Sequence, residues 1–182
     1  MKKTLIAYHS RSGYTRRVAL ALAERLNADL DEIRIVQSLG GAAGYALCAI
    51  EALAGLAPAL RRAHHDPAAY ELVIVGTPVW FWSLASPVRS WLEGHELKHH
   101  VAFFSTMGGS GAQRVFSTMA ALAGRQPEAT LALVDEEIDA AHCDKIDAFA
   151  QRLQAINRRR PSRSPARVRR VHAAARAAGE TP

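Results

Sequence analysis

Cysteine is scarce in this chain. The two present, Cys48 and Cys143, lie far apart and in no Cys-x-x-Cys pattern. That usage gives no support to a zinc ribbon, an iron–sulfur site or a dithiol redox motif. Histidine occurs in two adjacent pairs, His64-His65 and His99-His100. Neighbours on a strand face opposite ways and neither pair has a carboxylate at ligand spacing, so both read as surface residues and no metal is expected. Long apolar runs are also missing. Met1-Lys2-Lys3 imitates the start of a signal peptide, but the apolar run behind it stops at His9 and Arg11, which reads as a cytoplasmic chain. The window 40–60 carries Glu51 as its only charge, yet it is rich in Ala and Gly and broken by Pro58. It reads as a buried or grooved helix, and no membrane span is expected.

Acid is nearly absent from one end. Residues 158–182 hold eight arginines and a single carboxylate, Glu180, whereas residues 1–157 hold 15 basic and 16 acidic side chains. The net charge of +6 therefore belongs to the tail. Residues 158–182 cannot bury a core and read as a disordered extension. Residues 167–178 would suit a basic helix on an anionic surface, either nucleic acid or acidic lipid; a solvated extension with no dedicated partner is the other reading. The tail has no aromatic residue on which bases could stack. Residues 1–157 have the length and composition of one domain with an ordinary core.

Within that domain, apolar runs alternate with helical periods. Strands are predicted over 3–9, 30–36, 72–76, 101–104 and 129–134, the third as a continuous apolar run of the kind that central parallel strands show. Helices are predicted over 14–27, across Tyr45 to Leu60, from Ser86-Pro87 through Leu92, over 112–124 and over 140–157. Ser86 serves there as N-cap, with Pro87 at the first helical position. Strand–helix alternation of this kind predicts an α/β fold, a doubly wound five-stranded parallel sheet with helices on both faces.

Unusual residues collect where strands end. Behind the first comes Ser10-Arg11-Ser12-Gly13-Tyr14-Thr15, a tight loop of hydroxyls and one glycine opening a helix. Unpaired N–H groups at a helix start, aided by the macrodipole, make a phosphate cradle. Arg11 adds a cation. The loop is neither a Walker A motif nor a Gly-x-Gly-x-x-Gly turn, and a serine-rich helix cap is the plainer reading. Behind the third strand comes Thr77-Pro78-Val79-Trp80-Phe81-Trp82-Ser83, whose three consecutive aromatics suit a flat ligand, a core closure or a homodimer contact. Behind the fourth comes Ser105-Thr106-Met107-Gly108-Gly109-Ser110-Gly111. His9 borders the first loop and reads as a packed strand-end histidine.

Together these loops resemble those of the flavodoxin family. Ser-x-Ser-Gly-x-Thr is similar to its phosphate loop, Gly76-Thr77-Pro78-Val79-Trp80 followed by Ser86-Pro87-Val88-Arg89-Ser90-Trp91-Leu92 to its second flavin loop, and residues 103–111 to its third. The resemblance spans residues 3–157 and implies a flavodoxin-like sheet of strand order 2-1-3-4-5 with FMN as cofactor. It implies that Ser10, Arg11, Ser12, Gly13, Tyr14 and Thr15 hold the phosphate. Thr77, Pro78, Val79 and Trp80 would line the isoalloxazine, with Phe81 or Trp82 as the stacking ring. Thr106, Met107, Gly108 and Gly109 would meet its pyrimidine edge. No insertion interrupts Leu131 to Val134, which implies the short form.

One departure stands out. Residues 77–89 and 105–114 contain no Asp or Glu, whereas electron-carrying members surround the flavin with carboxylates. Fewer like charges favour the anionic reduced form, so a less negative hydroquinone potential is expected. An acidic docking face for basic partners is also missing. Three functions follow as expectations: an electron carrier serving a redox partner protein, an NAD(P)H-dependent reductase of quinones or similar acceptors, or a flavin-free scaffold. No side chain has the character of a general acid or base, and none is assigned a catalytic role.

Overall fold

The computed structural model describes residues 2–36, 58–139 and 144–158. Most of the helix predicted up to Leu60, both cysteines, and the tail beyond Arg158 lie outside the described residues.

The first strand, β1 (Lys2–Tyr8), carries Leu5, Ile6 and Ala7, all fully buried. It leads into α1 (Tyr14–Leu26), whose buried Thr15, Val18, Ala19, Leu22 and Ala23 follow the stripe spacing of an amphipathic helix. Asn27 ends α1 in the left-handed region at φ 48°, its N–H donating to the Ala23 carbonyl. β2 (Asp29–Glu32) is shorter than the predicted 30–36. Its ladder with β1 closes at Ile33, and Ile35 instead bridges Leu60 in antiparallel fashion. The alternating pattern is thus satisfied by two different partners.

A single 3-10 turn (Pro67–Ala69) precedes β3 (Tyr70–Trp80), which runs well past the predicted apolar core to Trp80. There the chain doubles back as β4 (Ser83–Leu84), with Trp80 opposite Ser83. The presumed second loop is therefore largely a hairpin. Next comes α2 (Ser86–Gly94), capped by Ala85 and not by Ser86, which is already helical and fully buried. Proline within the first turn still removes only an N–H that has no intrahelical acceptor. β5 (His100–Met107) runs past the predicted 101–104 and takes Ser105, Thr106 and Met107 from the expected third loop into the sheet. α3 (Ala112–Ala123) and β6 (Thr130–Val134) follow their predicted positions closely. The helix predicted over 140–157 is present from Asp144 on, residues 140–143 lying outside the described residues, and a further short helix precedes it. A short α4 (Asp135–Asp139) starts directly on β6, and α5 (Asp144–Arg158) comes after it.

The sheet order is β2-β1-β3-β5-β6, all parallel, with β4 antiparallel on β3. Counting the parallel strands alone, this is the expected 2-1-3-4-5. One face packs Val88, Trp91 and Leu92 of α2 with Val115, Phe116 and Met119 of α3. The other packs Val18 and Leu22 of α1 with Ile146, Phe149 and Leu153 of α5. Gly76 belongs to this second face because a Cβ there would lie 2.1 Å from Cζ of the buried Phe104 ring. The order in which strands are added to the sheet reverses between β1 and β3, and in open α/β sheets a crevice opens beyond the carboxyl ends at such a point.

Candidate functional site

Loops from β1, β3 and β5 emerge beside one another at that edge, since these strands are neighbours. In the first, Arg11 and Ser12 are exposed and Ser10 is half-buried, its Oγ accepting from the Arg16 N–H at 3.2 Å. Gly13 takes φ 98°, which an L side chain resists, and nothing lies within 4 Å of where its Cβ would be. It caps α1 with no side-chain hydrogen bond, and the first turn of α1 contains no acid. Apart from the Arg16 N–H, which Ser10 takes, a helix start whose cap residue offers no side chain is a site for an anion.

Not every predicted donor faces outward. Thr15 and Thr106 are both buried, and their hydroxyls meet at 2.8 Å, tying α1 to the end of β5 beneath the loops. Thr77 is buried too, its hydroxyl donating to the Pro78 carbonyl. Met107 is largely buried, while Pro78 and Val79 are half-buried and Gly108 and Gly109 are exposed.

The three aromatics divide. Trp80 is buried in the core, its ring edge-on to His9 at 5.5 Å between centroids. Phe81 and Trp82 are exposed by 46% and 61%. They form the two-residue turn between β3 and β4, at φ 48° and 57°. Such turns favour Asn-Gly because both central residues need positive φ. An aromatic pair there is strained, and strain of this sort gathers at functional sites. Trp82 is pinned to the third loop: its Nε1 donates to Ser110 Oγ at 3.1 Å. Gly111, at φ 115°, packs so closely that a Cβ would lie 3.1 Å from Trp82 Cα.

His9 joins the first loop to β2. Its Nδ1–H donates to the Ile33 carbonyl at 2.8 Å, and burial holds its pKa below the ordinary value. A neutral imidazole results, despite the nearby Glu32.

A fourth wall went unforeseen. Asp139, at the end of α4, accepts from the Tyr14 hydroxyl at 2.8 Å and from Arg17 at 2.7 Å. Arg17 also donates to the Ile138 carbonyl, and its guanidinium stands 5.8 Å from the Tyr14 ring centre. The two donors lower the Asp139 pKa. Asp135 reaches the third loop, its Oδ2 lying 3.9 Å from a Cβ placed on Gly108. Burial first, then Asp139 and Glu136, raise its pKa. So the three loops contain no acid of their own, but α4 supplies one beside Gly108. The signal was available: Asp135-Glu136-Glu137 directly follows a strand end at the same sheet edge.

Elsewhere, His100 bonds to Glu128, a partner that the local spacing had not revealed. Among the described residues, no three His, Cys, Asp or Glu side chains gather as a metal site. No described helix is long and apolar enough to cross a membrane. An open groove of about 530 Å³ runs along α3, past Phe116, Ala120 and Arg125, and none of the loop residues lines it.

These features have counterparts in known proteins. The family model for flavodoxin matches residues 3–133. A flavoprotein from Lactobacillus acidophilus NCFM, solved in complex with FMN, is 25% identical and covers 77% of this chain and 98% of its own, at a TM-score of 0.60. Oxidised flavodoxin 2 from Bacillus cereus shares the fold at 20% identity and a TM-score of 0.54, covering 84% of this chain and 98% of its own. Among curated proteins, none matches. With the family model spanning most of the sheet and the strand order agreeing, the chain belongs to the flavodoxin family.

Proposed function

We propose that this protein binds FMN and works as a flavodoxin-type electron-transfer protein. One observation carries the reading: the glycine-capped, acid-free N-terminus of α1 opens onto the same edge as the strained, exposed Phe81-Trp82 turn. The first suits a phosphate and the second a flat ring. The residues present fit that cofactor. Backbone N–H groups of Gly13, Tyr14 and Thr15, with the Ser10 and Ser12 hydroxyls and Arg11, would hold the phosphate. Phe81 and Trp82 offer ring faces, while Gly108 and Gly109 offer uncovered backbone to the heterocycle's polar edge. The bound flavin supplies the electron chemistry; the protein binds it, orients it and sets its electrostatic surroundings. Thr15 and Thr106 support the loops from beneath, and His9 anchors the start of the first loop as a neutral donor.

The absence of acid from residues 77–89 and 105–114 favours a second reading, an NAD(P)H-dependent reductase of quinones or similar acceptors, because no acidic rim invites a basic partner. Anaerobic titration of the FMN-loaded protein separates the two. Indifference to NADPH, with the flavin reduced by dithionite in two resolved one-electron steps, establishes the carrier. Bleaching by NADPH alone establishes the reductase. Protein that takes up no FMN overturns both and leaves a flavin-free scaffold.

A further inference from the structure

Tyr14 and Arg17 occupy the first turn of α1 immediately behind the phosphate loop, yet both spend their donors on α4. We propose that Asp139 is a specificity-determining residue, setting how strongly the chain distinguishes a phosphorylated flavin from an unphosphorylated one. It does so by holding the Tyr14 hydroxyl and the Arg17 guanidinium on α4, in competition with an anion in the Ser10–Thr15 loop. The proposal rests on the FMN reading.

The geometry makes the competition real. Arg17 donates its backbone N–H to the Gly13 carbonyl, so it stands one helical turn, about 5.4 Å, along α1 from the residue that opens the phosphate site. A guanidinium side chain spans that distance. Arg17 and Asp139 are 51% and 54% exposed, so their ion pair sits in water and is weakly held. A phosphate dianion offers charge-assisted acceptors that outbid such a pair. Arg16, the other cation of this turn, is already directed to Glu32. Arg17 is therefore the first-turn cation whose allegiance Asp139 decides. Asp139 and Asp135 together also place negative charge around Tyr14, opposing an incoming anion.

The test compares FMN with riboflavin, which lacks the phosphate, by flavin fluorescence quenching on the full chain and on Asp139→Asn. FMN binding should tighten about threefold relative to riboflavin binding in the variant, the scale of an exposed ion pair. The gain should vanish in ~1 M NaCl, where charge is screened within about 3 Å, and in the Asp139→Asn/Arg17→Gln double variant. Unchanged or weaker FMN binding, equal shifts for both flavins, or a gain that survives loss of Arg17 would overturn the proposal. If the unaltered chain binds neither flavin, the FMN reading falls and takes this one with it. If it binds FMN but Asp139→Asn does not respond, only this proposal falls.

Discussion

Phe81 is the residue where fold and function disagree most openly. At φ 48° it occupies a backbone region that asparagine tolerates far better than phenylalanine, at a cost of about 1–3 kcal/mol. Phe81→Asn should raise the melting temperature of the flavin-free protein by about 2–4 °C, for roughly 1 kcal/mol of relieved strain. The same change should weaken FMN binding by about tenfold, since an aromatic contact of 1–1.5 kcal/mol is lost. Thermal melting and a fluorescence titration check the two halves. A second residue-scale expectation concerns His9, whose folded pKa lies below the ordinary 6.5 because the ring is buried. Below 6.5 the unfolded chain binds the proton before the folded one does, so stability is complete above that pH and falls as pH drops toward the folded pKa. Denaturant midpoints of the protein and of His9→Gln between pH 7.5 and 5 test it: the acid-side decline should be shallower in the variant.

At the scale of elements, α1 is the piece that organises the site. It is tied to β5 through Thr15 and Thr106, to α4 through Tyr14 and Arg17, and to α5 through Arg25 and Asp147. The threonine pair lies in the interior, where one unsatisfied hydroxyl costs about 1–3 kcal/mol. Thr15→Val and Thr106→Val should each lower stability by about that much, and the double variant by clearly less than their sum, because the valines remove both polar groups together. Urea denaturation of the four proteins measures the coupling. The helix itself was legible from its apolar spacing, and so was its start. The inward turn of the Thr15 hydroxyl was not, because Thr15 and Thr106 are 91 residues apart and only the sheet order brings them together. Likewise, Trp80, Phe81 and Trp82 read as three equivalent aromatics in a row. A hairpin reversal after Trp80 buries the first and exposes the other two.

For the whole molecule, charge separates from fold. Residues 1–158 hold 16 basic and 16 acidic side chains, so the entire +6 of the chain lies beyond them. Shortening the protein to residues 1–158 should leave its unfolding midpoint unchanged within about 1 °C, because a segment of the tail's composition cannot bury a core. It should also abolish retention on a cation exchanger at neutral pH. A lowered midpoint would show that the tail contributes to the packed domain. The two faces of the sheet each have their own apolar cluster, built from two helices apiece.

What the sequence determined by itself was periodic or local. Apolar runs marked the strands, stripes marked the helices, and glycines and hydroxyls behind strand ends marked the loops, because each depends on neighbours a few residues away. Strand alternation with helices was enough for the doubly wound class. Tertiary structure alone decided which hydroxyls face inward, which aromatic is core, where the second strand changes partners and that Asp139 meets Tyr14 and Arg17. Each of those is a contact between segments distant in the chain. Their energies depend on packing and charge across space, and no local pattern records them.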